Sequence, residues 1–326
     1  MPLGAQSLLR QITDPDCGPP TLNEIFGLEA SLRSDSKEGD DSVSAESWFA
    51  NLSAPVFGDR ICGGLALPGI EYTSIHNERG VMPERLIGAG GSLFGFLCTD
   101  LPLPTRYGTF ISANMRSDFV DPKLSDMQYI ISGFAFISWS SELHFAPGLG
   151  YTSDSAVTFI EKVPIPSLEV VYTPQDGFFG DIDLLLAVGV PFNVLAFKPI
   201  DWLSVNIVNF AGVLGSGTVT AQATRELAFS ASFGATADVY DLSDEERFAE
   251  TSRIFYRDIR ATLGATYEVA GFINITGSLG HAFDRRWVIG QTMLANVEER
   301  IRLEPGYVLS LSVNIEFGLP KAAKKP

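Results

Sequence analysis

The residue types that could carry chemistry are few and widely separated in this chain. Its three histidines, His76, His144 and His281, show no HExxH or comparable ligand spacing. Its three cysteines are too scattered for a zinc site or a disulfide scaffold. We therefore expect no metal site and no cofactor.

The serine- and glycine-containing stretches do not match known catalytic motifs. GSLG and LGSG lack the G-x-S-x-G order of a nucleophile elbow, and GHAF around His281 lacks the serine-containing continuation of barrel phospholipases. GAGGSLFG, which starts at Gly88, lacks the Lys-Ser/Thr ending of a phosphate-binding loop. We interpret it as a strand in which small residues allow close packing. We expect no catalytic residues and no enzymatic activity.

Polar side chains recur instead at alternate positions near the C-terminus. These candidate lumen-facing residues are Asp258, Arg260, Glu268, Asn274, Asn314 and Glu316. Apolar residues such as Leu263, Ile275 and Leu311 occupy the positions of opposite parity. Alternation with period two is typical of a strand with one polar and one apolar face. It continues here for about a dozen residues per run, roughly twice the length of an ordinary strand.

The closing run has a length that fits a membrane. From Tyr307 to Phe317 there are ten steps of about 3.3 Å, or roughly 33 Å of strand. A tilt of about 40° reduces this to roughly 25 Å, the height of the apolar band of an outer-membrane barrel. Such bands have aromatic residues at both edges. The candidates for these edges are Phe255, Tyr267, Phe283, Tyr307 and Phe317.

Strand-like runs, many separated by turn-forming residues, fill most of the chain. They cover 43–54, 62–74, 86–98, 105–116, 127–139, 140–152, 166–174, 181–192, 201–213, 217–240, 254–270, 271–286 and 305–319. Turn chemistry is clearest at 174–177, 270–271 and 304–306. One helix is predicted within 241–253, where Ser243 and Glu246 form a capping box.

The composition excludes several classes of partner. The net charge is −16, and no stripe of Lys and Arg is present, so we expect no binding to nucleic acid.

The most apolar stretch, 184–192, is far shorter than the ~20 residues of a spanning helix. The opening MPLGAQSLLRQITDPDCGPP shows no apolar core of a signal peptide, so we expect either an internal start or a protein that is not exported.

Three segments differ in composition. Residues 1–42 are predicted to form a flexible acidic N-terminal extension, because the stretch is charged and rich in turn-forming residues. Residues 43–319 carry the strand pattern and are assigned to the barrel. Residues 320–326 form a short basic C-terminal tail.

Several quoted segments carry a family resemblance. YRDIRATLGATYEVAGFINITGSLGHAFDRR, IPSLEVVYTPQDG, FAPGLGY and PGYVLSLSVNIEF resemble an uncharacterised family of predicted bacterial outer-membrane β-barrels. The likeness covers about residues 105–319. It implies a barrel in the bacterial outer membrane, with membrane lipids and the barrel-insertion machinery as partners, and no catalytic residue. The chain departs from the usual pattern of such barrels because nine residues follow the final aromatic, Phe317.

These observations predict an all-β protein: an antiparallel, closed transmembrane β-barrel of about 12 strands. Its expected function is passive diffusion of small solutes or structural integrity of the outer membrane. The inward polar residues would either fill a narrow interior as paired charges or line a pore. The alternatives are a soluble all-β module that binds carbohydrate and, third, a barrel enzyme. The pair Arg285 and Arg286 beside Trp287 would contact anionic headgroups or extend to the membrane interface.

Overall fold

The computed structural model describes most of the chain between residues 26 and 315. The described residues are 26–38, 41–52, 54–55, 61–77, 82–99, 105–123, 126–153, 162–174, 183–190, 192–210, 214–243, 253–291 and 297–315. Within these ranges, the regular elements are all β-strands. No helix in the described part of the chain is long and apolar enough to cross a membrane.

The strands follow one another in chain order, and most are longer than those of a typical globular domain. They are β1 (Phe26–Glu38), β2 (Asp41–Leu52), β3 (Ala54–Pro55), β4 (Ile61–Asn77), β5 (Arg85–Thr99), β6 (Thr105–Ser117), β7 (Met127–Ser138), β8 (Leu143–Thr152), β9 (Ile165–Tyr172), β10 (Asp183–Val190), β11 (Phe192–Ile200), β12 (Leu203–Phe210), β13 (Leu214–Gln222), β14 (Leu227–Asp241), β15 (Arg253–Val269), β16 (Ile273–Gly290), β17 (Val297–Arg302) and β18 (Gly306–Ile315).

The strands close into a ring. Strands that are neighbours around the ring pair antiparallel, and β1 pairs both with β2 and with β18. The ladder between β9 and β10 joins the two halves of the chain, so the hydrogen bonding continues around the whole circumference. A ring of this kind leaves no free sheet edge. The fold is therefore a closed antiparallel β-barrel.

The wall of the barrel contains 16 strands, so the predicted number of about 12 is wrong. Two short strands do not add to the circumference. β3 pairs with Leu65 and Ala66 of β4, below the part of β4 that pairs with β2. β17 pairs with the segment of β16 that lies beyond its ladder with β18.

The missed strands have weak signals in the sequence. β1 lies inside the predicted N-terminal extension, where Leu28, Ala30 and Leu32 alternate with polar residues for only a few steps. β10 and β11 are separated by a single residue and were predicted in part as one run.

The predicted strand 217–240 is in fact two strands, β13 and β14. The turn between them contains neither Gly nor Pro. It forms because the Thr224 hydroxyl accepts hydrogen bonds from the backbone N–H groups of Glu226 and Leu227, 3.2 Å and 3.1 Å away.

The two ends of the barrel can be named by their turns. We call the end where β15 meets β16 the lower end, and the end where β14 stops and β15 starts the upper end. At the lower end, Ala270 and Gly271 have φ of 56° and 77°, as a type I′ turn requires, and Phe272 N donates to Val269 O. The turn predicted at 270–271 is thereby confirmed.

Three predictions fall partly outside the described residues. The predicted helix within 241–253 includes residues 244–252, which are not described, while Asp241 ends β14 and Arg253 begins β15. Residues 1–25 of the predicted extension, and residues 316–326 with the basic tail, also lie outside the described ranges.

The wall is uneven in height. The strands β14, β15 and β16 have 15, 17 and 18 residues. The strands β9 to β13 have only 8 or 9. The ring therefore has a tall side, which includes β14–β16, and a short side around β9–β13.

Candidate functional site: the barrel lumen

Register and exposure separate the two faces of the wall. Cross-strand partners lie on the same face of a sheet. The row Tyr267, Ile275 and Val313 belongs to the outer face, where Tyr267 is 52% exposed. The row Glu268, Asn274 and Asn314, one residue along, therefore belongs to the inner face.

The structure places the other predicted lumen residues on that inner face too. Asp258 pairs with Thr236, and Arg260 pairs with Gly234 and Ala282. Glu316 lies outside the described residues.

An ion-pair cluster connects two distant parts of the wall. Arg116 Nη2 on β6 lies 2.7 Å from Glu71 Oε2 on β4 and 3.1 Å from Asp238 Oδ1 on β14. The same nitrogen donates to the hydroxyl of Tyr240, which in turn donates to Glu71 Oε1 at 2.5 Å. The guanidinium also lies 4.5 Å from the centroid of the Tyr240 ring, within reach of a cation–π contact. Gly88 leaves space for it, because a Cβ there would lie 3.3 Å from Arg116 Cγ.

The strands that Arg116 joins are on opposite sides of the ring. Seven wall strands separate β6 from β14 in one direction, β7 to β13. Seven separate them in the other direction, through β15, β16, β18, β1, β2, β4 and β5. A barrel of 16 strands is ordinarily wide enough to enclose an aqueous channel. Here its walls are close enough for one side chain to cross the lumen.

Backbone and loop contacts reinforce this constriction at the upper end. Ser117 of β6 and Asp241 of β14 are partners in a short parallel bridge. Beyond them, the buried Asp118 carboxylate accepts hydrogen bonds from Ser243 N and Ser243 Oγ at 3.0 Å and 2.5 Å. Asp121 N also donates to Ser243 Oγ, at 3.1 Å. The two walls are therefore hydrogen-bonded to each other across the mouth.

Apolar side chains fill the upper lumen on the tall side. Trp287, Tyr256 and Ile254 from β15 and β16 are buried in one cluster with Met82 and Leu86 from the β4–β5 region. The remaining members are Val43, Ala45, Ile75, Tyr240, Leu242, Ile289, Ile301 and Leu303. These residues come from two groups of strands, one around β2–β5 and one around β14–β17, which are separated in the ring by β18 and β1. The two walls thus pack face to face, as in a β-sandwich.

Asp258, one of the predicted lumen-facing residues, is fully buried beside this cluster. Its carboxylate accepts hydrogen bonds from Tyr256 Oη at 2.7 Å, from Thr236 Oγ1, and from Arg260 Nε at 3.1 Å and Nη2 at 2.9 Å. Arg260 Nη2 also donates to Thr236 Oγ1 at 3.0 Å. Because these donors surround it, Asp258 holds the wall together and does not contact a passing solute.

The inner face of the short side has a different character. A buried apolar cluster extends across it from β9–β11 onto the neighbouring strands β5–β8. Its members are Phe94, Phe96, Phe136, Ala146, Val171, Leu185, Ala187 and Ala196, with Phe110, Phe134 and Val194 packed against it. Phe134 lies over Gly108, where a Cβ would be only 2.1 Å from the ring. Above this cluster, Ile130 faces inward and is 42% exposed, so the lumen is accessible to solvent there.

Most of the predicted aromatic edge residues lie on the outer face. Tyr267 and Tyr307 are 52% and 64% exposed, and Phe283 is half-buried beside Phe233 and His281. Phe255 is different: it is 1% exposed and packs with Val239, Val288 and Val297. Phe317 lies outside the described residues.

The arginine pair beside Trp287 is not arranged for headgroup contact. Arg285 and Trp287 are each 2% exposed, and Arg285 Nη1 donates to the backbone oxygen of Glu304 at 3.4 Å. Arg286 forms an ion pair with Asp284. The expectation that the arginine pair contacts headgroups or extends to the membrane interface is therefore wrong for Arg285.

Chemistry-bearing clusters are scarce in the described part of the chain. No group of three or more His, Cys, Asp or Glu side chains there is arranged to hold a metal ion. His144 packs against Phe136, and its two ring nitrogens lie 3.0 Å from Ser138 Oγ and 3.4 Å from Thr173 Oγ1.

The cluster at Arg116 was not found from the sequence. Glu71 alternates with Ile70 and Tyr72, and Arg116 follows a run with the same period, so both could have been assigned to an inner face. Nothing in the sequence shows that their strands lie opposite Asp238.

No protein-family model and no curated protein matches this chain. Three solved outer-membrane structures are similar to it in fold. Omp33 of Acinetobacter baumannii is 12% identical, covers 91% of this chain and 100% of its own, and has a TM-score of 0.35. Wzi of Escherichia coli, described as a carbohydrate-binding β-barrel, is 10% identical over 91% and 85%, with a TM-score of 0.42. The translocator domain of NalP from Neisseria meningitidis is 10% identical over 90% and 88%, with a TM-score of 0.33.

Proposed function

We propose that this chain is an outer-membrane β-barrel that lets small solutes pass through one side of a constricted lumen. The observation that carries the proposal is the closed ring with a large apolar outer face. The membrane lipids would be its surroundings, and the barrel-insertion machinery would place it there. The three structural features that support the proposal are the outer face, the constriction and the accessible short side.

The outer face favours a lipid environment over water. Exposed large apolar side chains occur on most strands of the ring, and Ile70, Leu149, Leu168, Val190 and Leu263 are more than half exposed. A soluble barrel would not expose so large and continuous an apolar surface. In lipid the same surface is favourable, and a closed ring leaves no unpaired backbone group.

The height of the apolar band also fits a membrane. On β16, Ile275 pairs with Tyr267 and marks one aromatic edge. Phe283, eight residues further along β16, marks the other edge, and the nearby His281 pairs with Tyr307. At about 3.3 Å per step and a tilt of about 40°, these aromatic edges are roughly 20 Å apart. Trp139 and Trp202, 70% and 54% exposed, lie in the lower turns and extend the aromatic edge. Bands of about 25 Å between aromatic girdles are typical of outer-membrane barrels.

The lumen supports a narrow passage. The tall side is closed at its upper end by the Trp287 cluster, and the cross-lumen contacts of Arg116 close the centre. The remaining route would follow the inner face of β7–β13, where Ile130 is accessible and Glu169 is partly exposed, although the cluster around Phe136 on that face is buried. We expect such a route to admit ions and small solutes and to exclude large ones.

Two alternatives make different predictions. A structural barrel without a passage would share the outer face but would transport nothing. A soluble carbohydrate-binding module would be extracted without detergent. The apolar outer face argues against this alternative.

Both alternatives can be tested on one preparation. We expect the folded protein to require detergent for extraction and to migrate differently on a gel before and after boiling. Reconstituted into liposomes, it should let a small sugar such as arabinose enter and exclude a large one such as raffinose, measured by swelling. Extraction without detergent would contradict the membrane location. Heat-modifiable protein that shows no swelling with either sugar would favour the structural barrel.

A further inference from the structure

The inner face of the short side carries a carboxylate outside the ion-pair network. Glu169 on β9 pairs with Ala146 on β8 and with Gly189 on β10, so its side chain projects from the inner face. Its neighbours of opposite parity, Leu168 and Val170, are 56% and 37% exposed on the outer face. Glu169 is the fifth of the eight residues of β9, and therefore lies near the middle of this low wall.

Glu169 differs from the carboxylates of the constriction in having no cationic partner among the described residues. Glu71 and Asp238 are bound by Arg116, and Asp258 is bound by Arg260. The side chain of Glu169 has neither an ion pair nor a hydrogen bond to any described residue, although it is only partly exposed. A half-buried carboxylate without a partner is costly in its ionised form, so it either takes up a proton or attracts a mobile cation.

The neighbours of Glu169 on the inner face are small or uncharged. A Cβ at Gly189 would lie 2.0 Å from Leu168 O and 2.6 Å from Glu169 Cα, so this neighbour can carry no side chain. The neighbour on the other strand, Ala146, is small. The adjacent inner residues Val171 and Ser167 carry no charge. The carboxylate therefore faces the lumen between a bare backbone and a methyl group.

We propose that Glu169 is a binding position for small cations in the passage and sets its ion preference. This inference rests on the proposed function and names the class of solute that the passage favours. A fixed carboxylate in a narrow passage with low-dielectric walls concentrates cations and repels anions. Asp258, whose carboxylate is already bound, does not act in this way.

The test is the reversal potential of the protein in planar bilayers under a KCl gradient at about pH 8, where ordinary carboxylic acids are ionised. We expect the wild-type protein to prefer K⁺ over Cl⁻, and Glu169→Gln to lower the permeability ratio about twofold or more at similar conductance. Glu46→Gln on the exposed outer face is the matched control, because it removes the same charge and should leave the ratio unchanged.

The outcomes separate this inference from the proposed function. A conducting Glu169→Gln protein with the wild-type ratio would overturn the role of Glu169 and leave the passage in place. Loss of preference in Glu46→Gln to the same extent would also overturn it, because the effect would then come from net charge. A wild-type protein that folds but does not conduct would contradict the proposed function itself. Glu169→Asp, which keeps the charge, should retain the cation preference.

Discussion

Arg116 and Asp238 form an ion pair across the barrel, with 3.1 Å between Nη2 and Oδ1, although β6 and β14 are separated by seven strands in both directions around the ring. Their side chains are 23% and 27% exposed. The pair is therefore shielded enough to be stronger than a surface salt bridge, but is not fully removed from water. This ion pair therefore divides the lumen at its centre.

Replacing Arg116 with Ala should weaken this division. The carboxylates of Glu71 and Asp238 would lose their shared cation and repel each other. We expect a loss of about 2–3 kcal/mol in stability, less than for a fully buried pair because the side chains are partly exposed. Single-channel conductance should rise, and the temperature of the gel shift should fall. Arg225→Ala, in an exposed lower turn, is the control and should change neither.

A charge on the outer face should be costly where the wall crosses the middle of the membrane. Leu311 is 53% exposed and lies between the level of Tyr267 and that of Tyr307. Leu311→Arg should cost about 2–4 kcal/mol of stability in lipid. Ala223→Arg, in an exposed turn at the lower end, should cost far less. Equal unfolding free energies for the two variants in phospholipid bilayers would mean that Leu311 does not face lipid.

Cysteine labelling tests the assignment of faces. In a background where the three native cysteines are replaced by Ser, cysteines at Leu263, Ile275, Leu309 and Val313 should react with a lipid-phase probe and not with a water-soluble maleimide. Cysteines at Asn274 and Asn314 should show the opposite preference. If the four outer-face cysteines react with the water-soluble maleimide, the protein is not a membrane barrel.

The local pattern of the sequence was sufficient for the strands that alternate cleanly. In 254–270, 271–286 and 305–319, period two alone predicted the extent of β15, β16 and β18 to within a few residues, because one face is apolar and the other polar. β11 was missed because only one residue separates it from β10 in the sequence, and the β13–β14 turn was missed because Thr224 makes it without Gly or Pro. A turn that is stabilised by a side-chain hydrogen bond is hard to predict from a sequence.

The arrangement of the lumen could not be predicted from alternation. Period two indicates that Asp258 and Glu169 point inward, but it does not show that Asp258 is surrounded by Arg260, Tyr256 and Thr236 while Glu169 is not. Those contacts depend on which strands face each other across the ring, which is set by strand number and closure. The expectation that the chain has no enzymatic activity stays a prediction.

Single-channel recording in planar bilayers tests the one-sided passage most directly. The structure predicts discrete openings with a conductance well below that of an unobstructed barrel of 16 strands, because the tall side is packed shut by Trp287 and its neighbours. Conductance should increase in Arg116→Ala. Heat-modifiable protein that gives no openings, or that already has the conductance of an unobstructed barrel and does not respond to Arg116→Ala, would contradict the proposal.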